Sequence, residues 1–204
     1  MDNRKRNYQL ELDQMLQKIT DAGSVPRLLL HACCAPCSSY VLEYLTKYFS
    51  ITVRFYNPNI GEREEYVHRA EELKRLIREM PAAHPVTFTE GAYEPEAFEK
   101  MAEGLENVQE GGERCFRCYR MRLAESAAYA AANGFDYFTT TLSISPLKNA
   151  QKLNEIGAAL SEEFGVPYLF SDFKKKDGYK RSIELSEVYG LYRQNYCGCR
   201  FSKR

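Results

Sequence analysis

The stretch LLLHACCAPCSSYVLEYL, residues 28–45, decides the fold. Its apolar run belongs to a segment, 27–31, that predicts a buried strand, and the amphipathic residues 38–48 predict a helix. Between the two stand three cysteines within five residues: Cys33, Cys34 and Cys37. The stretch therefore predicts a strand, a cysteine-bearing loop and a helix in immediate succession.

The remaining chain continues this alternation. Strands are predicted at 51–56, 84–89, 135–141 and 166–170, and helices at about 5–20, 62–80, 95–107, 114–132, 146–164 and 181–195. Because strands that alternate with helices form a parallel sheet covered on both faces, we expect one α/β domain over residues 1–204 with about five strands. Ligands of such sheets bind at the carboxyl ends of the strands, where the cysteine loop falls.

The composition is that of an ordinary globular protein. Hydrophobic residues make up 44% of the 204 residues and charged residues 27%, which allows a sizeable core. No apolar run approaches the ~18–20 residues that span a bilayer. The N-terminal segment MDNRKRNYQLELDQ lacks the apolar stretch of a signal peptide. We therefore expect a cytoplasmic protein with no membrane partner.

In a reducing compartment, seven cysteines indicate metal binding or catalysis rather than structural disulfides. Scattered core cysteines would not be grouped as these are. The three groups are Cys33-Cys34-x-x-Cys37, Cys115-x-x-Cys118 and Cys197-x-Cys199.

The first two groups fit three chemistries. Cys34-Ala-Pro-Cys37 follows a strand and opens a helix, as in a thioredoxin-type dithiol, but the chain has no tryptophan and the dithiol leaves the other cysteines unexplained. Cys33 and Cys34 with Cys115 and Cys118 supply four thiolates, which suit tetrahedral zinc or an iron–sulfur cluster. The location at the strand ends and the adjacent pair favour the cluster.

The third group leaves a choice between two roles. Cys197 and Cys199, separated by a glycine, can close a readily reduced disulfide, or they can ligate a second metal together with Cys37. Two other functions compete with a cluster enzyme: a zinc-binding RNA module and a thiol–disulfide oxidoreductase.

Positive charge is concentrated at the C-terminus. The whole chain has a formal net charge of zero, whereas residues 174–204 contain nine basic and three acidic residues, interleaved with tyrosines. Such a segment suits a nucleic-acid backbone with bases to stack on, and the alternative is a solvated helix face. The candidate RNA contacts are Lys174, Lys175, Lys176, Arg181 and Tyr196.

Several ordered motifs between residues 27 and 202 resemble the QueH family, the cobalamin-independent epoxyqueuosine reductases. They are His31-Ala-Cys-Cys-Ala-Pro-Cys37, Tyr56-Asn-Pro-Asn-Ile60, Glu65-Tyr-x-x-Arg69, Cys115-x-x-Cys-Tyr-x-x-Arg122, Thr140-Thr-Leu-Ser-Ile-Ser-Pro146, Gly178-Tyr-x-Arg-Ser182 and Tyr196-Cys-Gly-Cys-x-Phe-Ser202. The leading helix at about 5–20 lies outside the matching region.

The resemblance implies a two-electron reduction of epoxyqueuosine to queuosine at the wobble position of tRNA, the last step of queuosine synthesis. It implies a [4Fe–4S] cluster on Cys33, Cys34, Cys115 and Cys118. The remaining thiols, Cys37, Cys197 and Cys199, are implied to be catalytic, as a redox pair or as ligands of one additional iron. The implied partners are an epoxyqueuosine-containing tRNA anticodon loop and an unidentified electron donor.

The predicted sheet also resembles the adenine-nucleotide α-hydrolase group, which includes the PP-loop enzymes. Those enzymes bind ATP with a glycine-rich loop, and this chain has cysteines at that position, so we expect no ATP site. The proton donor is not marked by any motif. Asp172, Tyr56 and His31 stand near predicted strand ends and are the candidates.

Overall fold

A computed structural model describes residues 6–203. The predicted leading helix and the predicted basic segment each include one residue outside this range, Lys5 and Arg204. The elements are α1 (Tyr8–Asp21), β1 (Arg27–His31), α2 (Ala35–Leu45), β2 (Ser50–Phe55), α3 (Arg63–Glu79), β3 (Val86–Glu90), α4 (Pro95–Ala102), α5 (Glu113–Ala132), β4 (Tyr137–Thr140), α6 (Ala150–Phe164) and α7 (Gly178–Val188). Two 3-10 turns lie at Thr141–Ile144 and Arg200–Ser202.

The strands form one parallel sheet in the order β3-β2-β1-β4. Strand β1 lies between β2 and β4 and is buried on both faces. Leu28 and Leu30 pack into the core on one side of the sheet, Leu29 packs into the core on the other side, and none of the three is exposed. Successive side chains of a strand point to opposite faces of the sheet. Because helices cover both faces, β1 needs apolar side chains on both, and its continuous apolar run provides them. The α/β prediction is confirmed.

The predicted fifth strand is reduced to a single bridge. Tyr168 pairs in parallel with Phe138, whose N–H donates to the carbonyl of Pro167 (3.1 Å) and whose carbonyl accepts from Leu169 (2.9 Å). Strand β4 has only four residues, and Pro167 has no N–H to extend the ladder. Residues 166–170 therefore form a single bridge beside β4 instead of a strand, and the sheet has four strands rather than about five.

Two predicted helices end earlier than the apolar pattern suggested. The helix predicted over 95–107 ends at Ala102, and Gly104 follows in the left-handed region (φ +75°). The helix predicted over 181–195 runs from Gly178 to Val188, and Gly190 follows at φ +55°. Glycine adopts this conformation without the steric penalty of a Cβ, so helices commonly stop just before it.

The helix predicted over 146–164 begins later, at Ala150. Asn149 caps it, because its side-chain oxygen accepts a hydrogen bond from the N–H of Lys152 (3.0 Å). The residues before the cap form the 3-10 turn and a loop that carries Pro146. This loop lies beyond the carboxyl end of β4, so it joins the site described next.

Candidate active site

Cys33, Cys34 and Cys37 form a compact group, here called the thiol cluster, where β1 gives way to α2. Their sulfur atoms all lie within 4.8 Å of one another, and the Cys33 and Cys34 sulfurs are 3.6 Å apart. Cys34 is buried, whereas Cys33 and Cys37 are partly exposed. Within residues 6–203, this is the one group of three acidic, histidine or cysteine residues that already converges to metal-binding distance.

The thiols of the cluster differ in acidity. Hydrogen bonds from Cys34 and Cys37 hold the pKa of Cys33 well below its usual value, and the nearby charge of Arg122 acts in the same direction. The same hydrogen bond raises the pKa of Cys34 to about 12, and hydrogen bonding to Cys33 raises the pKa of Cys37. One thiolate is therefore favoured at Cys33, at the N-terminus of a helix, where negative charge is stabilised.

Cys115 and Cys118 lie in the first two turns of α5 and occupy two different environments. Cys115 accepts a hydrogen bond from the N–H of Gly111 (3.2 Å), and it packs against the same apolar core as Cys33. Cys118 is buried in a small cluster that also contains Cys199. Of the four predicted ligands of the [4Fe–4S] cluster, Cys33 and Cys34 lie in the thiol cluster, whereas Cys115 and Cys118 lie outside it. The third member of the thiol cluster is Cys37, which was predicted to have a different role.

Two side chains hold the loop of Cys197 in place. Asn59 donates to the carbonyl of Cys197 (3.1 Å), and Arg69 donates to the same carbonyl (3.2 Å). Arg69 is itself buried and paired with Glu65 at 2.6 Å. Asn59, Glu65 and Arg69 belong to two of the motifs found in the sequence. These two motifs therefore fix the position of the third cysteine group.

Gly198 permits this close approach. Its φ is +101°, and a Cβ at this position would lie 2.6 Å from a side-chain carbon of Ile60. Cys197 and Cys199 on either side are both free thiols, so no disulfide bridges them here. Their pKa values differ: burial raises that of Cys199 to about 12, whereas that of Cys197 is lowered because Lys148 and Arg122 outweigh the opposing effect of burial.

Arg122 is a buried cation behind the thiols. It is 1% exposed, and it donates to Nε2 of His31 (3.3 Å) and to the side-chain oxygen of Asn57. Among residues 6–203, no carboxylate forms an ion pair with it. Burying an unpaired cation is costly, but the attraction of the facing thiols Cys118 and Cys33 outweighs the effect of burial and raises the pKa of Arg122 overall. Arg122 is therefore placed to balance negative charge on the cysteines.

His31 acts as a structural partner of Arg122. Burial, with the neighbouring charge of Arg122, lowers the pKa of His31 to about 3, so the ring is neutral at physiological pH. Nε2 lies 3.3 Å from Nε of Arg122 and 3.2 Å from the carbonyl oxygen of Tyr56, and Nδ1 lies 2.8 Å from the hydroxyl oxygen of Thr140, so both ring nitrogens are engaged within the chain.

A cavity of about 330 Å³ opens beside these residues. Its size is at the lower end of the range for small-molecule sites. Its wall contains four basic side chains, one carboxylate and three of the cysteines, so it favours an anionic or polar ligand. These wall residues are Arg69, Arg122, Lys148, Arg193, Glu110, Cys33, Cys37 and Cys197.

None of the five charged residues of this wall was identified as functional from the sequence. Arg122 had a detectable signal, since it follows Cys118 by four residues and thus lies on the same face of a helix. Lys148 had none, because it lies in a turn and only tertiary packing buries it to 8% side-chain exposure.

The candidate RNA contacts are largely engaged within the chain. Lys174 donates to the carbonyl of Ser143 (2.9 Å) and pairs with Asp172. Lys176 pairs with Asp13 at 2.7 Å. Lys175 is exposed.

Of the other two candidates, Arg181 pairs with Glu43 at 2.7 Å and Tyr196 lines the cavity. The fold therefore leaves Lys175 and Tyr196 as the most available of the five.

The three candidate proton donors lie away from the cavity wall. His31 is neutral and engaged as described. The hydroxyl of Tyr56 donates to Glu94 (3.1 Å), and burial together with this hydrogen bond raises its pKa to about 12. Asp172 pairs with Lys174 at 3.0 Å. Within the described part of the chain, none of the three lines the cavity.

Comparison with known proteins finds a matching family model and several similar proteins. A family model described as epoxyqueuosine reductase QueH matches residues 28–204. The chain is 44% identical to a protein named epoxyqueuosine reductase QueH from Staphylococcus epidermidis, over 99% of this chain and 87% of that one. A protein of the same name from Streptococcus pyogenes is 44% identical, over 99% and 80% of the two chains. One from Thermotoga maritima is 35% identical, over 86% and 89%. Among the helices that the structure describes, none has the length and hydropathy of a bilayer span.

Proposed function

The chain belongs to the QueH family of epoxyqueuosine reductases, and we propose that the cavity beside the thiol cluster is where it reduces epoxyqueuosine in tRNA. The reaction converts the epoxide on the cyclopentane ring to an alkene. Two electrons and two protons are consumed, both carbon–oxygen bonds break, and the oxygen leaves as water.

One observation carries this proposal: three cysteines from two separate groups line the same cavity. Cys33 and Cys37 come from the loop after β1, and Cys197 comes from the C-terminal segment that Asn59 and Arg69 hold in place. A reductase needs its redox-active groups next to the substrate, and this wall provides them. The basic side chains around the cavity suit a nucleotide, which carries phosphate.

The donor set fits an iron–sulfur cofactor. The candidate ligands are all thiols, the sulfurs of the thiol cluster converge, and the buried Arg122 provides positive charge that thiolate ligands would balance. We assign Cys33, Cys34, Cys115 and Cys118 to a [4Fe–4S] cluster. We assign Cys37, Cys197 and Cys199 to an adjacent redox role, as a thiol pair or as ligands of one additional iron. When bound, the cluster supplies electrons one at a time.

The residues of the chain contribute positioning and charge. Arg69 and Asn59 hold Cys197 at the cavity wall, and Arg122 stabilises negative charge on the thiols behind it. Leu142 and Ile144, both buried, add apolar surface to the wall and limit the access of water. The electrons come from a separate donor protein or small reductant. Because the substrate is a tRNA, we assign the enzyme to the cytoplasm.

Anaerobic purification followed by metal analysis and turnover tests this function. We expect a brown protein with absorbance near ~400 nm, about four or more irons per chain, and conversion of epoxyqueuosine to queuosine in tRNA under a strong reductant. The product is measured by mass spectrometry of digested nucleosides. A colourless protein with one zinc and no turnover would support the zinc-binding RNA module instead. Reduction of protein disulfides without turnover of the tRNA would support the thiol–disulfide oxidoreductase.

Binding of the anticodon stem-loop is expected to depend on Lys175 more than on its neighbours. Alanine at Lys174, Lys175 and Lys176 together should weaken binding and lower the dependence of log K on log salt, by about one for each lysine that contacts a phosphate. Because Lys174 and Lys176 are engaged within the chain, Lys175→Ala alone should account for most of the change.

Fluorescence polarisation of a labelled stem-loop at several potassium chloride concentrations measures both quantities. Lys47→Ala is the matched control, since Lys47 is exposed and lies between α2 and β2, on the side of the sheet where the strands begin, away from their carboxyl ends. If the triple variant binds like the wild type at every salt concentration, these lysines have no role in binding RNA.

A further inference from the structure

Lys148 is a lysine with a largely buried side chain that lines the cavity. It stands in the loop between the 3-10 turn Thr141–Ile144 and α6, and its side chain is 8% exposed. Its nearest carboxylate oxygen, on Glu110, is 3.7 Å from Nζ. Cys33 and Cys197 line the same cavity.

The ammonium of Lys148 has hydrogen-bonding capacity to spare. It carries three N–H donors, and the distance to Glu110 exceeds the usual range of a hydrogen bond. Within residues 6–203, no other side-chain or backbone acceptor lies within hydrogen-bond distance of Nζ. An acceptor that enters the cavity can therefore take a hydrogen bond from this ammonium.

The group is nevertheless held in its charged form. Burial alone lowers the pKa of Lys148, but the attraction of neighbouring acidic groups, chiefly the Cys197 thiolate, outweighs this effect and raises the pKa overall. The cavity thus presents a stable positive charge beside the sulfur atoms that line it.

The reaction requires such a donor. As the first carbon–oxygen bond of the epoxide breaks, negative charge develops on the oxygen. An alkoxide is about as basic as hydroxide, so it is basic enough to accept a proton from an ammonium.

We propose that Lys148 is a catalytic residue that donates a hydrogen bond, and then a proton, to the epoxide oxygen as the carbon–oxygen bonds break. The proposal rests on the proposed function of the cavity. Two electrons come from the reductant of the enzyme, one proton comes from Lys148 and the second from solvent, and the oxygen leaves as water. Solvent then returns a proton to Lys148, and Glu110 positions the ammonium.

The other cations of the wall are less suited to proton donation. Arg122 is occupied by His31 and Asn57, and Arg69 is occupied by Glu65 and the carbonyl of Cys197. A guanidinium also does not act as a proton donor in proteins, whereas a lysine ammonium can transfer its proton to a base as strong as an alkoxide. Lys148 therefore combines free donors with a transferable proton.

The test compares Lys148→Met and Lys148→Arg with the control Lys152→Met, all in the metal-loaded protein. Lys152 lies on α6 with a 40% exposed side chain. We expect Lys148→Met to lower kcat by roughly 10²–10⁴-fold, as loss of general acid catalysis does. Metal content and the Kd for tRNA should stay within about twofold of wild type, and Lys152→Met should retain full kcat. Lys148→Arg, which keeps the charge and the N–H donors, should fall between the two.

A second readout separates catalysis from structure. The kcat of Lys148→Met should rise as pH falls, because the proton must then come from solvent, whereas the wild type should show a flatter profile. A wild-type kcat in Lys148→Met overturns the proposal while the proposed function stands. If Lys148→Met does not fold, a wild-type kcat in Lys148→Gln overturns it equally. A wild type that does not reduce epoxyqueuosine tRNA at all refutes the proposed function itself.

Discussion

Replacing Cys34 with serine is expected to remove the bound metal and abolish most turnover. Cys34 is 1% exposed, and its sulfur lies 3.6 Å from that of Cys33, so solvent has little access from which to replace this sulfur as a ligand. Loss of an outer-shell partner of a metal site typically costs about 10–100-fold in affinity or activity, and loss of a ligand should cost more than ~100-fold. Iron per chain, absorbance near ~400 nm and nucleoside analysis measure the result.

Two companion variants sharpen this prediction. Cys37→Ser should keep the visible absorbance of the cluster yet lose turnover, because we assign Cys37 to the adjacent redox role. Ser39→Ala perturbs the same helix at a fully buried position that carries no sulfur, and it should keep both properties. Full metal content in Cys34→Ser, or loss of all colour in Cys37→Ser, would show that the ligands are allocated differently.

Replacing Arg122 with methionine is expected to affect the metal-loaded protein far more than the metal-free one. In the metal-free chain, the variant removes a costly buried charge but leaves the side-chain oxygen of Asn57 and Nε2 of His31 without their donor. The free energy of unfolding should fall by about 1–3 kcal/mol, the cost of unsatisfied buried groups. In the loaded protein, the thiolates lose their balancing cation, so metal retention and turnover should fall by more than ~100-fold.

Urea denaturation of the metal-free protein and iron retention during dialysis measure the two effects separately. Arg120→Met is the matched control, since Arg120 lies on the same helix but is 50% exposed and pairs with Glu163 on the surface. Such surface pairs contribute roughly 0–1 kcal/mol. Equal retention of iron in the Arg122 and Arg120 variants would contradict the charge-balancing role of Arg122.

Much of the site was predictable because its signals are local. The apolar run of β1 identified a strand buried on both faces, and the cysteines that follow had to lie at its carboxyl end. The Cys115-x-x-Cys118 spacing placed two thiols at the start of α5. Helix ends were predicted less well, because Gly104 and Gly190 stop helices that the apolar pattern would continue.

The sequence by itself determined the alternation of strands and helices, the position of the cysteine loop after β1 and the family, since each follows from the identity and spacing of neighbouring residues. Only the tertiary structure decided how the distant groups combine. It placed Cys37 with Cys33 and Cys34, pinned Cys197 through Asn59 and Arg69, and buried the cations among the thiols.

The physical reason is that burial and pairing depend on contacts between residues far apart in the chain. Lys148 is an ordinary turn residue in the sequence, yet packing against the cavity makes it a buried ammonium. Lys174 and Lys176 form part of a basic run in the sequence, yet folding pairs them with Asp172 and Asp13. Spacing along the chain sets which groups are available, and three-dimensional packing sets their charge, exposure and partners.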